Sequence, residues 1–334
     1  MKINSMGDGA RSYVMQSQNT SLKQQLQRLT LEISTGQIAD IRDIAAGNTE
    51  YLNDLERSLG KLESYSLATL EAGQFAGGVQ TALTHISAVN SSFQATLLTA
   101  SNTGYGDTST IIIQEAKTAL GQVIGALNTS LGGRTIFSGT ATGTSPVASS
   151  EELLSALRGA MAGAGSVDDM LAAAQAWFAD PAGFSTLGYL GSDKSLAPVS
   201  LSDEEAAQFE LRADNPALRD TLLNLTVAAL ADDPALGLTR AQQGELFQKT
   251  AVNTLNSNAA IIDLQSMVGY SEHQIEALSV QQSTQRTTIE LARSELLSID
   301  PYQAATELEQ VQFQLQSLYA ITSRMSQLSL VNYL

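Results

Sequence analysis

The chain has no cysteine, which excludes disulfides and thiolate metal sites. Prolines are scarce and local. Five of the six (Pro146, Pro181, Pro198, Pro216, Pro234) fall in the middle of the chain, and the sixth is Pro301. Cations are also scarce, with 18 Lys and Arg against 34 Asp and Glu and a formal net charge of −16. That balance argues against nucleic acid, because neutralising phosphates needs clustered Lys and Arg. It argues equally against an anionic membrane surface. No apolar run approaches the roughly 18 residues that would suggest a membrane span. The opening stretch MKINSMGDGARSYVM lacks an apolar core of secretory-signal length. The expectation is a cytoplasmic chain, or one exported without a cleaved leader.

Charged residues make up 16% and aromatics 5% of the 334 residues. Ala, Leu, Ser, Thr and Gln take their place, a composition suited to long helices with shallow contacts. Proline costs about 3 kcal/mol inside a helix, so the proline-free flanks, residues 1–145 and 236–300, are free to be helical over long distances. In the first flank, Met15, Leu22, Leu26, Leu29 and Ile33 recur at spacings of three, four or seven, one helix face, which Gly36 ends. A second stripe follows through Leu52, Leu55, Leu59 and Leu62, then Val79, Leu83, Ile86, Phe93 and Leu97. Asn102–Asp107 reads as a turn, and a third helix is expected over 109–130.

In the middle, Ser149 with Glu152 and Ser166 with Asp169 are capping signals. Asn215-Pro216 places a cap and an N1 proline. Residues 197–201 and 208–212 read as strands, and GRTIFSGTATG as a hairpin or an extended crossing. Between Glu151 and Asp233, fourteen acids face four cations, a local net of −10, read as a solvated domain surface. Thr239 with Gln242 opens a helix that runs without interruption to Ser298, about 90 Å at 1.5 Å per residue. Asp300-Pro301 breaks it. The last helix carries Leu308, Val311, Leu315, Leu318, Ile321, Met325 and Leu328 in one stripe, and its final eighteen residues hold a single charge, Arg324.

The predicted fold is therefore mainly α with a smaller α+β part. The N- and C-terminal flanks form a long antiparallel, coiled-coil-like bundle, and a mixed α/β outer domain is inserted between them. Expected segments are 1–36 and 301–334 as assembly helices, 37–140 and 237–300 as the two parts of a helical rod, and 141–236 as the acidic outer domain.

Chemistry is sparse. His85 and His273 stand alone on helices without metal-ligand spacing, and no phosphate-binding glycine loop occurs. Asp203-Glu204-Glu205 reads as an exposed turn rather than an acid–base pair, which would need two carboxyls in different environments. No catalytic residue, cofactor or metal is expected.

Four stretches carry a resemblance: LQRLTLEISTG (26–36), GRTIFSG (133–139), FELRAD (209–214) and LSLVNYL (328–334). Together they resemble the flagellin-like axial proteins of the bacterial flagellum, and among these the hook-associated family of the hook–filament junction. Gly133, Arg134, Phe137 and Gly139 match the family's Gly-Arg-aromatic-aliphatic-Phe-small-Gly segment. One departure stands out: the stretch 40–44 (DIRDI) lacks the proline that relatives carry after the Ser/Thr-Gly turn.

The resemblance implies export in unfolded form through the flagellar type III apparatus, extracellular assembly at the junction, and no enzyme activity. It implies as partners further copies of the chain, the other hook-associated junction protein, hook protein, flagellin and an export chaperone. The expected assembly interface is Met15, Leu22, Leu26, Leu29, Ile33, Leu308, Val311, Leu315, Leu318, Met325, Leu328 and Leu330. Two other readings stay open at this point, a filament-forming flagellin and a secreted enzyme on a helical scaffold that uses the middle acids.

Overall fold

The computed structural model describes residues 4–40 and 46–331. Eight α-helices run in the order α1 (Asn4–Thr35), α2 (Ala46–Thr103), α3 (Tyr105–Leu127), α4 (Ser150–Met161), α5 (Val167–Ala179), α6 (Pro216–Ala229), α7 (Arg240–Leu297) and α8 (Pro301–Val331) among the described residues, with one π-helical turn (Phe184–Gly188) between α5 and α6. Two small antiparallel hairpins complete them, β1 (Ser130–Leu131) with β2 (Arg134–Thr135), and β3 (Val199–Ser200) with β4 (Ala206–Ala207). The chain divides into two compact units, one of residues Met1–Glu63 with Ser283–Leu334, the other of Ser64–Gln282.

In the first unit α1 packs along α8. Gly36 ends α1 with φ +72°, a left-handed conformation that glycine adopts without steric cost, and its N–H bonds the Glu32 carbonyl at 2.7 Å. The chain then pairs with the α7–α8 joint. Gln37 bridges Ser298, Ile38 N–H donates to Leu297 C=O (2.8 Å), and Ile299 N–H donates to Gly36 C=O (3.2 Å). At that joint Asp300 caps α8. Its Oδ1 accepts the N–H groups of Tyr302 (2.9 Å) and Gln303 (3.2 Å), and Pro301 takes the first helical position.

The second unit has an all-round buried helix at its centre. Residues 221–231, which include most of α6, are buried without a break, as expected of a helix enclosed on every side. α2 contributes Leu83, Ile86, Phe93 and Leu97, α3 Ile112 and Leu120, and α7 Leu246 and Phe247 to the same core. Here α2 and α7 run antiparallel, with partner numbers falling as α2 numbers rise. Thr69 meets Gln282 (3.0 Å), Thr84 meets Gln265 (3.3 Å), and Ser87 meets Asn258 (3.3 Å). A polar node crosses this core. Asn90 Nδ2 donates to Thr254 C=O (3.3 Å) and Ser257 Oγ (3.4 Å), and Asn224 Nδ2 also reaches Ser257 Oγ (3.4 Å).

The capping signals are realised. Ser149 and Glu152 form a reciprocal box, Ser166 and Asn215 accept helix N–H groups, and Gln242 closes on Thr239. Two expectations need correction. Residues 102–107 form no wide turn, because α2 continues to Thr103 and Gly104 alone, at φ +94°, reverses the chain into α3. Residues 208–212 form no strand. The pairing uses Ala206–Ala207 instead, because the tight turn held by Ser202 brings Glu205 opposite Leu201.

Candidate assembly interface

The contact between α1 and α8 is a short apolar seam. Leu29, Val311 and Leu315 are buried, with Leu22, Leu26 and Leu308 packed against them. Leu318 is buried one turn further along α8 and Met15 is half-buried on α1. Spacings of three and four on both helices make these residues meet. Ile33 does not join them and is exposed. At that end of α1 the inward position belongs to Glu32, buried, with Oε1 accepting the Ala39 N–H at 3.1 Å. Met325, Leu328 and Leu330 lie on α8, but their side chains are outside the described residues, as are Ile41–Ile44 and the Asn332-Tyr333-Leu334 ending.

The seam uses only part of the apolar surface of the two helices. Tyr13, Val14 and Leu31 on α1 are exposed, as are Tyr302, Phe313, Tyr319 and Ile321 on α8. Tyr302 is 84% exposed and Phe313 70%, fractions at which an aromatic ring gains almost nothing from its own chain. Burying seven such side chains is an incentive of roughly 1.5–3 kcal/mol each. Ile321 belongs to the expected α8 stripe but is left uncovered; the other six escape a reading of stripes because they stand off the a/d-like positions, Phe313 between Val311 and Leu315. Their signal is the excess of large apolar residues over what one seam requires.

The motif residues sit elsewhere, at a junction of loops in the second unit. Gly132 and Gly133, both at positive φ, make the turn of the β1–β2 hairpin, and Arg134 is exposed on its second arm. Thr135 Oγ1 donates within the following loop, its acceptors being the carbonyls of Thr142 (3.0 Å) and Thr144 (2.9 Å). Phe137 is fully buried and its carbonyl accepts the Ala213 N–H at 3.0 Å. Ser192 N–H donates to Ser138 C=O (2.8 Å), and Thr140 N–H donates to Lys194 C=O (2.9 Å). Arg212 completes the junction with a fork onto Asp214, both bonds 2.9 Å, and a third bond to Ser195 Oγ at 3.0 Å. The segment 135–140 therefore ties together chain sections distant in sequence. Its role is architectural.

His85 and His273 are exposed on α2 and α7. Ser202 Oγ accepts the N–H groups of Glu204 (3.2 Å) and Glu205 (3.0 Å), so the acidic run is an exposed turn. Among the described residues no three His, Asp or Glu side chains are grouped to hold a metal ion, and no helix is long and apolar enough to cross a membrane.

Long antiparallel flanks, a small mixed region between them and paired terminal helices define a class that known proteins share. Residues 251–334 match the bacterial flagellin C-terminal helical region. A Vibrio parahaemolyticus protein described as a flagellar hook-associated protein superposes with TM-score 0.52 at 12% identity, covering 75% of this chain and 98% of that one. The FlgL protein of Bacillus cereus superposes with TM-score 0.52 at 14% identity, covering 73% of this chain and all of that one (100%). No curated protein sequence matches the chain. Residues 251–334 are thus similar to the flagellin C-terminal helical region, and the fold is shared with hook-associated proteins.

Proposed function

We propose that this chain is a structural subunit of the bacterial flagellum that joins hook to filament. In this reading it is exported unfolded and assembles outside the cell through its paired terminal helices. The observation that carries the proposal is the half-used apolar surface of α1 and α8. The inner faces close on each other, while Tyr13, Phe313 and Tyr302 await neighbours. Further copies of the chain, the other junction protein, hook protein and flagellin are the proposed neighbours. An export chaperone would cover the α8 stripe before assembly, since such a surface otherwise aggregates. Deleting Leu308–Leu334 should abolish chaperone binding.

The flagellin C-terminal match supports a second reading, a subunit of the filament itself. Purified chain offered to short filament seeds and to isolated hooks separates the two. A junction protein caps hooks over a limited length and does not extend seeds. Continuous growth from seeds would make it a flagellin. Binding to neither would remove the axial-subunit proposal.

A further inference from the structure

Beside the β3–β4 hairpin, two grooves of the second unit meet end to end. One, about 580 Å³, is lined by Leu201, by the stretch 204–208 and by α7 from Ser271 to Gln281. The other, about 450 Å³, is lined by Phe75, Val79, the stretch 208–211 and α7 from Leu264 to Ser271. Gln208 and Ser271 belong to both.

The backbone along this line begins with the short strand β4, which lacks a second neighbour among the described residues, and continues as extended chain without strand pairing. Ala207 opposes Val199, and Leu201 N–H donates to Glu205 C=O (2.8 Å), so the odd-numbered residues face β3. Antiparallel alternation then turns the N–H and C=O of Ala206 and Gln208 to the open edge. Past β4, the main chain of Gln208, Phe209 and Leu211 makes no hydrogen bond among the described residues, while the Glu210 carbonyl accepts from Ser195 Oγ at 3.4 Å. The segment is nevertheless held in place. Phe209 and Leu211 are half-buried, and the Phe209 ring lies 4.5 Å from that of Phe75. A fixed backbone with free polar groups is a template for strand addition.

Charge selects what could add. Glu204, Glu205 and Glu210 line the two grooves, and no cationic side chain does so among the described residues. The α7 wall from Leu264 to Gln281 spans about 25 Å, the length of about eight strand residues. We propose that this edge docks an extended, lysine- or arginine-bearing segment of a partner protein, added as a strand beside β4 and residues 208–211. Its cations would face the three glutamates, and its apolar side chains would enter the end lined by Phe75, Val79 and Leu264.

The test uses the full chain and three labelled octapeptides: alternating Lys and Val, alternating Glu and Val, and the Lys–Val peptide with two internal prolines. Only the Lys–Val peptide should bind, and it should slow hydrogen exchange at Gln208–Leu211. Binding should weaken roughly tenfold or more in the Glu204→Gln/Glu205→Gln/Glu210→Gln variant, whose substitutions lie on exposed surface and leave the core untouched. Equal binding of the proline or Glu–Val peptide would overturn the proposal, as would absence of binding. Protection of 208–211 that rises with chain concentration alone would also overturn it, since a second copy would then be the occupant.

Discussion

Replacing Gly139 by alanine tests the loop junction most sharply. The residue sits at φ +59°, where an L side chain costs about 1–2 kcal/mol. The added Cβ would overlap the Lys194 carbonyl oxygen, and would stand 3.0 Å from the Ser192 carbonyl oxygen and 3.2 Å from Arg212 Cδ. Two of these three are backbone atoms that cannot swing aside. Relief requires moving the 192–194 segment, which weakens the Thr140–Lys194 and Ser192–Ser138 bonds, each a net contribution of about 0.5–1.5 kcal/mol. The total is about 2–5 kcal/mol, or roughly 4–20 °C in melting temperature for a unit of this size. Gly133→Ala is the control. Its φ is +79° but a Cβ there meets nothing within 4 Å, so only the conformational cost of about 1–2 kcal/mol applies. Fluorescence of the single tryptophan, Trp177, packed against Phe178 and Phe184, reports unfolding of this unit. Equal losses in the two variants would refute the steric argument.

Three further outcomes follow from single side chains. Gly73→Ala places a Cβ 3.5 Å from Ile275 Cγ2 within α2, an ordinary contact; thermal melts should show a gain of about 0.5–1 kcal/mol. Burial alone would raise the Asp233 carboxyl, but the Ala235 N–H and Arg158 outweigh it and hold it below its ordinary value of 3.8. Its contribution is thus present above pH 3.8 and lost as pH falls through the lower folded value; acid melts of Asp233→Asn should lack that loss. Burial first, and then Asp214, pushes the Tyr189 phenol up to about 12. A raised folded value stabilises below the ordinary 10.0 and loses its effect as pH climbs toward 12. In an absorbance titration Tyr189→Phe should remove the last phenol to ionise.

What the sequence disclosed was mostly local. Ser149 with Glu152, Asn215-Pro216 and Thr239 with Gln242 mark helix starts because a cap is satisfied within four residues. The stripes through Leu22, Leu26, Leu29 and through Val311, Leu315 foretold the α1–α8 seam, because helical spacing fixes which side chains share a face. Strand pairing is not local. Phe209–Arg212 alternates like a strand, yet its partner edge is empty, and pairing fell two residues earlier through the Ser202 turn. Equally hidden was the junction at Gly139, which depends on carbonyls of Ser192 and Lys194 more than fifty residues away. Which apolar side chains remain uncovered is likewise invisible in a stripe. Leu31 and Leu29 differ by two positions, and one is exposed while the other is buried.

The central claim is that α1 and α8 complete their packing only when subunits assemble. Hydrogen exchange resolved along the chain, on dilute protein and on protein assembled onto hooks, tests it directly. Fast exchange is expected over α1 and α8 in the dilute chain, with strong protection in the second unit and slowing of both terminal helices on assembly. Slow exchange in α1 and α8 of the dilute chain, unchanged by assembly, would show that the seam through Leu29 and Val311 suffices alone and would contradict the account.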